Sequence, residues 1–120
     1  MGENKEYITY PDEKGNINIS EDVIAVIAAN AVLDTEGVAG LANASGKELQ
    51  EKLPKKGSKG VRLVNDENGL KLEIFILARM GTAVNKVGAA VQQNVVNNVE
   101  STTGITVAQV NVHIIGVQLN

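Results

Sequence analysis

The sequence predicts an α+β domain of two layers: two main helices packed on one face of a small, mostly antiparallel sheet, in the order short strand, helix, hairpin, helix, strand. Three observations carry that reading. Leu70, Leu72, Ile74 and Ile76 alternate with Lys71, Glu73, Phe75 and Leu77, and Asn68-Gly69 stands just before them as a hairpin signal. Val87, Val91, Val95 and Val99 recur every four residues, as the apolar stripe of a helix does. Val110, Val112 and Ile114 alternate with Asn111 and His113, the pattern of a strand with one buried face.

The elements follow in order. Residues 1–14 are charged, contain Pro11 and read as a flexible N-terminal leader; residues 15–120 read as a single domain. Gly15-Asn16-Ile17-Asn18-Ile19 alternates as a short strand. Ser20 is a good N-cap, and Glu21 and Asp22 suit the positive end of a helix that runs to about Leu33 and stops near Gly37. Ten of the eleven residues from Val23 to Leu33 are apolar, more than one buried stripe requires. At about 16 Å this stretch is too short to cross a membrane. Two readings of it stay open: a helix wedged between the sheet and its own loops, or one whose outer side meets another subunit.

Residues 38–60 form a long connection, with a short helix expected over 46–53 and a flexible basic run from Lys55 to Gly60. Val61–Val64 and residues 70–77 pair as a hairpin, signalled by Asn68-Gly69 because both residues tolerate positive φ. Gly81 ends the return strand, Asn85 is the expected N-cap of a helix over 86–101, and Gly104 its stop. The face of that helix away from its valines is Gln92, Gln93, Asn94, Asn97 and Asn98, rich in amides and nearly free of charge. In the closing strand Ile115, Val117 and Leu119 fall out of phase with Ile114, which predicts a bulge or bend near Gly116.

Composition narrows the function. Of 120 residues, 43% are apolar, enough for a core that is almost wholly aliphatic, since Phe75 and two tyrosines are the only aromatics. A formal charge of −3 and an isoelectric point of about 5.1 argue against a dedicated nucleic-acid binder. The lack of cysteine removes disulfides, thiolate catalysis and sulfur metal sites, and fits the reducing cytoplasm. The N-terminus has no apolar signal segment, Glu6 departs from the myristoylation pattern after Gly2, and no stretch approaches the ~20 apolar residues of a membrane span.

The catalytic constellations fail one by one, so no catalytic residue, metal ligand or cofactor is expected. His113 is the only histidine; it has no cysteine partner, and Asn111 beside it is no base. The acidic pairs Asp12-Glu13, Glu21-Asp22 and Asp66-Glu67 are adjacent residues whose side chains diverge, and calcium-loop spacing is absent. Gly40 to Lys47 is no phosphate loop: five residues separate Gly40 from Gly46, and Glu48 stands where Ser or Thr must hold magnesium. Gly57-Ser58-Lys59-Gly60 is basic, and the helix–hairpin–helix–strand order resembles RNA-binding KH domains, but there the loop sits between two helices and here it precedes a strand.

Surfaces are more informative. Lys52, Lys55, Lys56, Lys59 and Arg62 form a basic cluster that reads either as a solvated loop or as a contact for an anionic surface. If the even positions of residues 70–76 and 110–114 face the helices, Phe75, Leu77 and His113 point away. Either the leader covers them through Tyr7, Ile8 and Tyr10, or they form an interaction surface. Gln92, Gln93 and Asn97 on the second helix join them as candidate interaction residues.

Taken together these segments resemble the alkaline shock protein family of Gram-positive bacteria, also described as general or envelope stress proteins. The matching pieces are Gly15 to Ser20 with Val23, Ile24 and Ile27; Glu36-Gly37-Val38-Ala39-Gly40; Gly60-Val61; the hairpin; Gly81; the helix of Val91 and Val95; and Gly104 through Val107-Ala108-Gln109-Val110-Asn111-Val112-His113-Ile114-Ile115-Gly116-Val117. They cover nearly all of residues 15–119. The resemblance implies an abundant, non-enzymatic, cytoplasmic protein of cell-envelope homeostasis that self-associates, held near the inner face of the membrane in some members by a membrane-anchored partner. It carries over no catalytic residue and no cofactor. Residues 43–60, the amide-rich helix face and Arg79-Met80 look individual to this chain. The leading expectation is thus a stress-related scaffold or interaction protein. The alternative is a nucleic-acid binding module using the basic 52–62 segment. A third, enzymatic or small-molecule role would need an apolar pocket with convergent polar groups.

Overall fold

A computed structural model describes residues 7–42 and 60–119, as β1 (Tyr7–Asp12), β2 (Gly15–Ser20), α1 (Glu21–Leu33), β3 (Val38–Leu41), β4 (Val61–Asp66), β5 (Gly69–Arg79), α2 (Val84–Thr103) and β6 (Val107–Gln118). The α+β class and the strand–helix–hairpin–helix–strand order are as the sequence predicts. Two further strands, β1 and β3, join them. The short helix expected over 46–53 and the basic run through Lys59 lie outside the described residues.

Residues 7–12, part of the stretch read as a flexible leader, pair antiparallel with β2. Ile8 lies opposite Ile19 and reaches the core, while Tyr10 and Ile17, opposite each other further out, stay exposed. The Tyr10 ring lies against the end of α2, 3.6 Å from where a Cβ on Gly104 would be. Polar flanking residues hid this strand, since only Ile8 and Tyr10 carry its apolar face.

Ser20 starts α1, its hydroxyl accepting the Asp22 N–H at 3.1 Å. The helix buries Ile24, Ala25, Ala28, Ala29, Ala31 and Val32, and its alanines allow close approach to the neighbouring layers. Beyond its end, Thr35 is buried; its hydroxyl donates to the Ala31 carbonyl and accepts from the Asn94 amide, tying α1 to α2.

The four-stranded sheet is built around β5. Val61–Asp66 runs antiparallel along residues 69–74 of β5, β3 runs antiparallel along residues 76–78, and β6 runs parallel along most of its length. A strand has two edges, so β3 and β4 share one, end to end, and β6 takes the other. The junction is at Phe75, whose N–H donates to the Gly60 carbonyl at 2.8 Å and whose carbonyl accepts the Ala42 N–H at 2.9 Å. Leu70, Leu72, Ile74 and Ile76 bury one sheet face against Ile24 and Val32 of α1 and Val91, Val95 and Val99 of α2. Each such side chain contributes about 1.5–3 kcal/mol on burial.

The hairpin turn signalled by Asn68-Gly69 is present, with Gly69 at φ +110°; among the described residues only glycines take positive φ. The Asp66 carboxylate accepts the Asn68 N–H at 2.9 Å and closes the turn. Two local expectations are corrected at the second helix. The second helix begins at Val84, not 86, and its N-cap is Ala83, with no side-chain cap bond. Asn85 therefore lies inside the first turn. As expected, the helix ends at Gly104, at φ +78°, and β6 bulges where its phase changes, Ile76 pairing with Ile114 and Leu77 with Gly116 so that Ile115 is extra.

Candidate functional site

Because side chains alternate along β5, the residues between its core positions stand on the face away from both helices. Register then brings three strands together there. Arg62 lies opposite Glu73, Glu73 beside Asn111, and Phe75 beside His113. The His113 Nε2 lies 2.6 Å from Glu73 Oε1, and the Asn111 amide donates to Glu73 Oε2 at 2.7 Å. A carboxylate only accepts, so Nε2 carries the proton of this bond. The imidazole also stacks on Phe75, with ring centroids 4.7 Å apart and planes 18° apart. From the β4 side the Arg62 guanidinium stands 5.4 Å from the centre of the same ring. Leu77 comes next along β5 with Gly40 and Gly116 as its register partners, so no side chain flanks it on either strand.

The result is an apolar centre of Phe75 and Leu77, half-buried, within a rim of Arg62, Lys71, Glu73, Asn111 and His113. Lys71 is itself held by Asp66 at 3.8 Å. The described part of the leader, from Tyr7 on, does not cover this face. It turns instead to the core through Ile8 and to the end of α2 through Tyr10.

Hydrogen bonding from His113, and next from Asn111, holds the Glu73 carboxyl below its ordinary value of about 4.5; burial works against them, and the positive fields of His113 and Arg62 add weaker lowering. A carboxyl lowered in the folded state contributes stability above its unfolded value and loses it as pH falls through the folded one. Acidification below about pH 4.5 is therefore expected to destabilise the unmodified chain more than Glu73→Gln, which cannot titrate. Urea unfolding of both proteins at neutral and acid pH checks this: the gap between them should narrow on acidification.

The other candidates fall elsewhere. Gln92 does not join the Phe75 face; its amide donates to the Val110 carbonyl of β6 at 3.0 Å. Gln93 and Asn97 bond each other at 3.1 Å on the exposed side of α2, in the helix layer. Of the basic cluster only Arg62 is described, and it is engaged over Phe75; Lys52, Lys55, Lys56 and Lys59 lie outside the described residues. Glu73 and Asn111, which organise the face, were not singled out in the sequence. Their signal was parity, since each shares its strand face with Phe75 or His113.

Among the described residues no three acidic or histidine side chains gather as a metal site, and no helix is long and apolar enough to cross a membrane. On the helix side, a shallow open groove is lined by Ile27, Asn30, Ala31, Leu33, Asp34 and Asn98. Val23 and Leu33 of α1 remain exposed nearby, so α1 is buried on most sides but not all.

The model of the alkaline shock protein 23 family, described as having a cell envelope-related function, matches residues 9–119. The chain belongs to the alkaline shock protein family. Within that family it is similar to the uncharacterized protein YloU of Bacillus subtilis (strain 168), 33% identical over 108 residues that cover 88% of this chain and 90% of that protein. The uncharacterized protein YqhY of the same organism is 28% identical over 107 residues, covering 88% of this chain and 79% of its own. The uncharacterized protein Spy1614 of Streptococcus pyogenes serotype M6 is 30% identical over 103 residues, covering 83% and 85%. No solved structure matches the chain. The alkaline shock match begins inside β1, so the family region takes in most of the N-terminal hairpin.

Proposed function

We propose that the chain is a non-enzymatic interaction protein of the cell envelope. Its outer sheet face, centred on Phe75, Leu77 and His113, takes a protein partner, first of all a second copy of itself. One observation carries this reading: both helices pack on one side of the sheet and the described leader lies elsewhere, so among the described residues nothing covers an aromatic–aliphatic centre within a polar rim. Interfaces have that anatomy. The family's envelope-related description supports the setting. The same face suits a membrane-anchored protein that would hold the chain at the inner membrane surface.

Size sets the strength. Three strands, about 4.8 Å apart and some 30 Å long, offer roughly 430 Å² per copy, so two copies bury about 860 Å², below the size of stable specific interfaces and within the range of weak ones. Self-association through this face alone is therefore weak and visible only at high concentration. Two-dimensional NMR from low micromolar to millimolar concentration tests it. Signals of Phe75, Leu77 and His113 should move with concentration while those of Asn30 and Leu33 stay fixed. Spectra that do not change across the range would contradict the reading.

A further inference from the structure

Among the described residues no strand pairs with the outer edge of β6. Phe75 spends its N–H and carbonyl on Gly60 and Ala42, toward β3 and β4. Residues of a strand alternate between its edges, so Leu72, Ile74 and Ile76 turn their backbone groups to β6. In a parallel ladder each of them bonds the neighbours of its register partner, and the partners Val110, Val112 and Ile114 point their own N–H and carbonyl outward. Two side chains agree with this geometry. Gln92 donates to the outward carbonyl of Val110 at 3.0 Å, and Glu100 accepts the Val107 N–H at 2.9 Å. These caps, with a register shift at Ala108, close the first half of the edge to another strand. Among the described residues nothing caps Val112 or Ile114.

The two sheet edges differ. The β3–β4 edge is broken at Phe75 and carries Arg62 and Asp66, whereas the twelve residues of β6 contain no Asp, Glu, Lys or Arg. A reversed copy of β6 thus lays no fixed like charges opposite one another. His113, its one titratable residue, would meet its counterpart with a Glu73 carboxylate beside each ring.

We propose that β6 pairs antiparallel with β6 of a second copy about a twofold axis at His113. Val112 of each copy exchanges both backbone hydrogen bonds with Ile114 of the other. The register follows from the caps: one step toward the start of the strand needs the carbonyl that Gln92 holds, and one step the other way runs into the bulge at Ile115. α2 packs closely over Ile114 at Gly88, whose missing Cβ would lie 3.8 Å from Ile114 Cδ1. The pairing keeps the two Phe75–Leu77 faces side by side on one surface. It rests on the self-association reading above and adds a contact to it.

The chain has no cysteine, so single-cysteine variants report which positions meet. Under mild oxidation His113→Cys should form a covalent dimer, since a directly opposed pair that exchanges no hydrogen bonds brings side chains closest. Gln109→Cys should not, because its counterpart is eight residues away, about 27 Å. Phe75→Cys should not through this contact, its counterpart lying three strand spacings away, about 14 Å. In the unmodified chain, amide exchange at Val112 and Ile114 should slow at least tenfold as concentration rises. Crosslinking at 75 without 113 would keep face-to-face association and overturn the edge pairing. Equal crosslinking at all three positions, or exchange at Val112 and Ile114 that ignores concentration in a chain that does self-associate, would also overturn it. A chain that stays monomeric overturns both readings.

Discussion

Gly37→Ala is expected to cost the fold roughly 3 kcal/mol. Two costs add at this position. Gly37 holds φ at +95° in the tight passage from α1 to β3, where a Cβ crowds the following carbonyl by about 1–2 kcal/mol. The same Cβ would also stand 2.6 Å from Cγ2 of Val87, which is buried between α2 and the sheet and has a stiff branched side chain. Relief would require α2 to shift at its first turn, and overpacking of this kind typically costs 1–3 kcal/mol. For a chain of this size, the melting midpoint should fall by about 10–20 °C. Gly15→Ala is the control: it has φ of +134° but nothing within 4 Å of the added Cβ. It bears the backbone strain without the clash and should lose only about 1 kcal/mol. Equal losses for the two variants would show that Val87 is free to move aside.

What the sequence made legible was local. The alternation through Leu70, Leu72, Ile74 and Ile76 named the buried face of β5, and the four-residue spacing of Val87 to Val99 named that of α2. Ser20 capped as its hydroxyl chemistry implied, and the phase change at Ile115 announced a bulge because a one-residue slip reverses every side chain after it. Pairings between distant segments had no such signal. Nothing in Val38–Leu41 says that it continues the line of β4 along the same edge of β5, or that β6 runs parallel to β5 while β4 runs antiparallel. The strand at Tyr7–Asp12 was masked by charge and a proline around two apolar residues. At the site, parity alone placed Phe75, Leu77 and His113 on one face. It did not separate Gln92 from them, because helical spacing does not tell which flank of α2 overhangs the β6 edge. Nor did it reveal that Glu73 ties His113 and Asn111 into one unit.

Phe75→Ser combined with Leu77→Ser removes the centre of the outer face while leaving the helix-side core residues of β5 in place. Residues at the middle of an interface carry most of its energy, at 2 kcal/mol or more each for the strongest. A loss of even about 1.4 kcal/mol weakens association tenfold. Both side chains are half-buried on the outer face, so the fold should survive with a lowered melting midpoint, which is read alongside. The decisive measurement is sedimentation equilibrium of the unmodified chain and the double variant from low to high micromolar concentration. The unmodified chain should gain mass with concentration, and the variant should remain a folded monomer at least tenfold further up the range. An unmodified chain that is already monomeric at high micromolar concentration, or a folded variant that assembles as readily as its parent, would contradict the claim that this face is where the protein meets its partners.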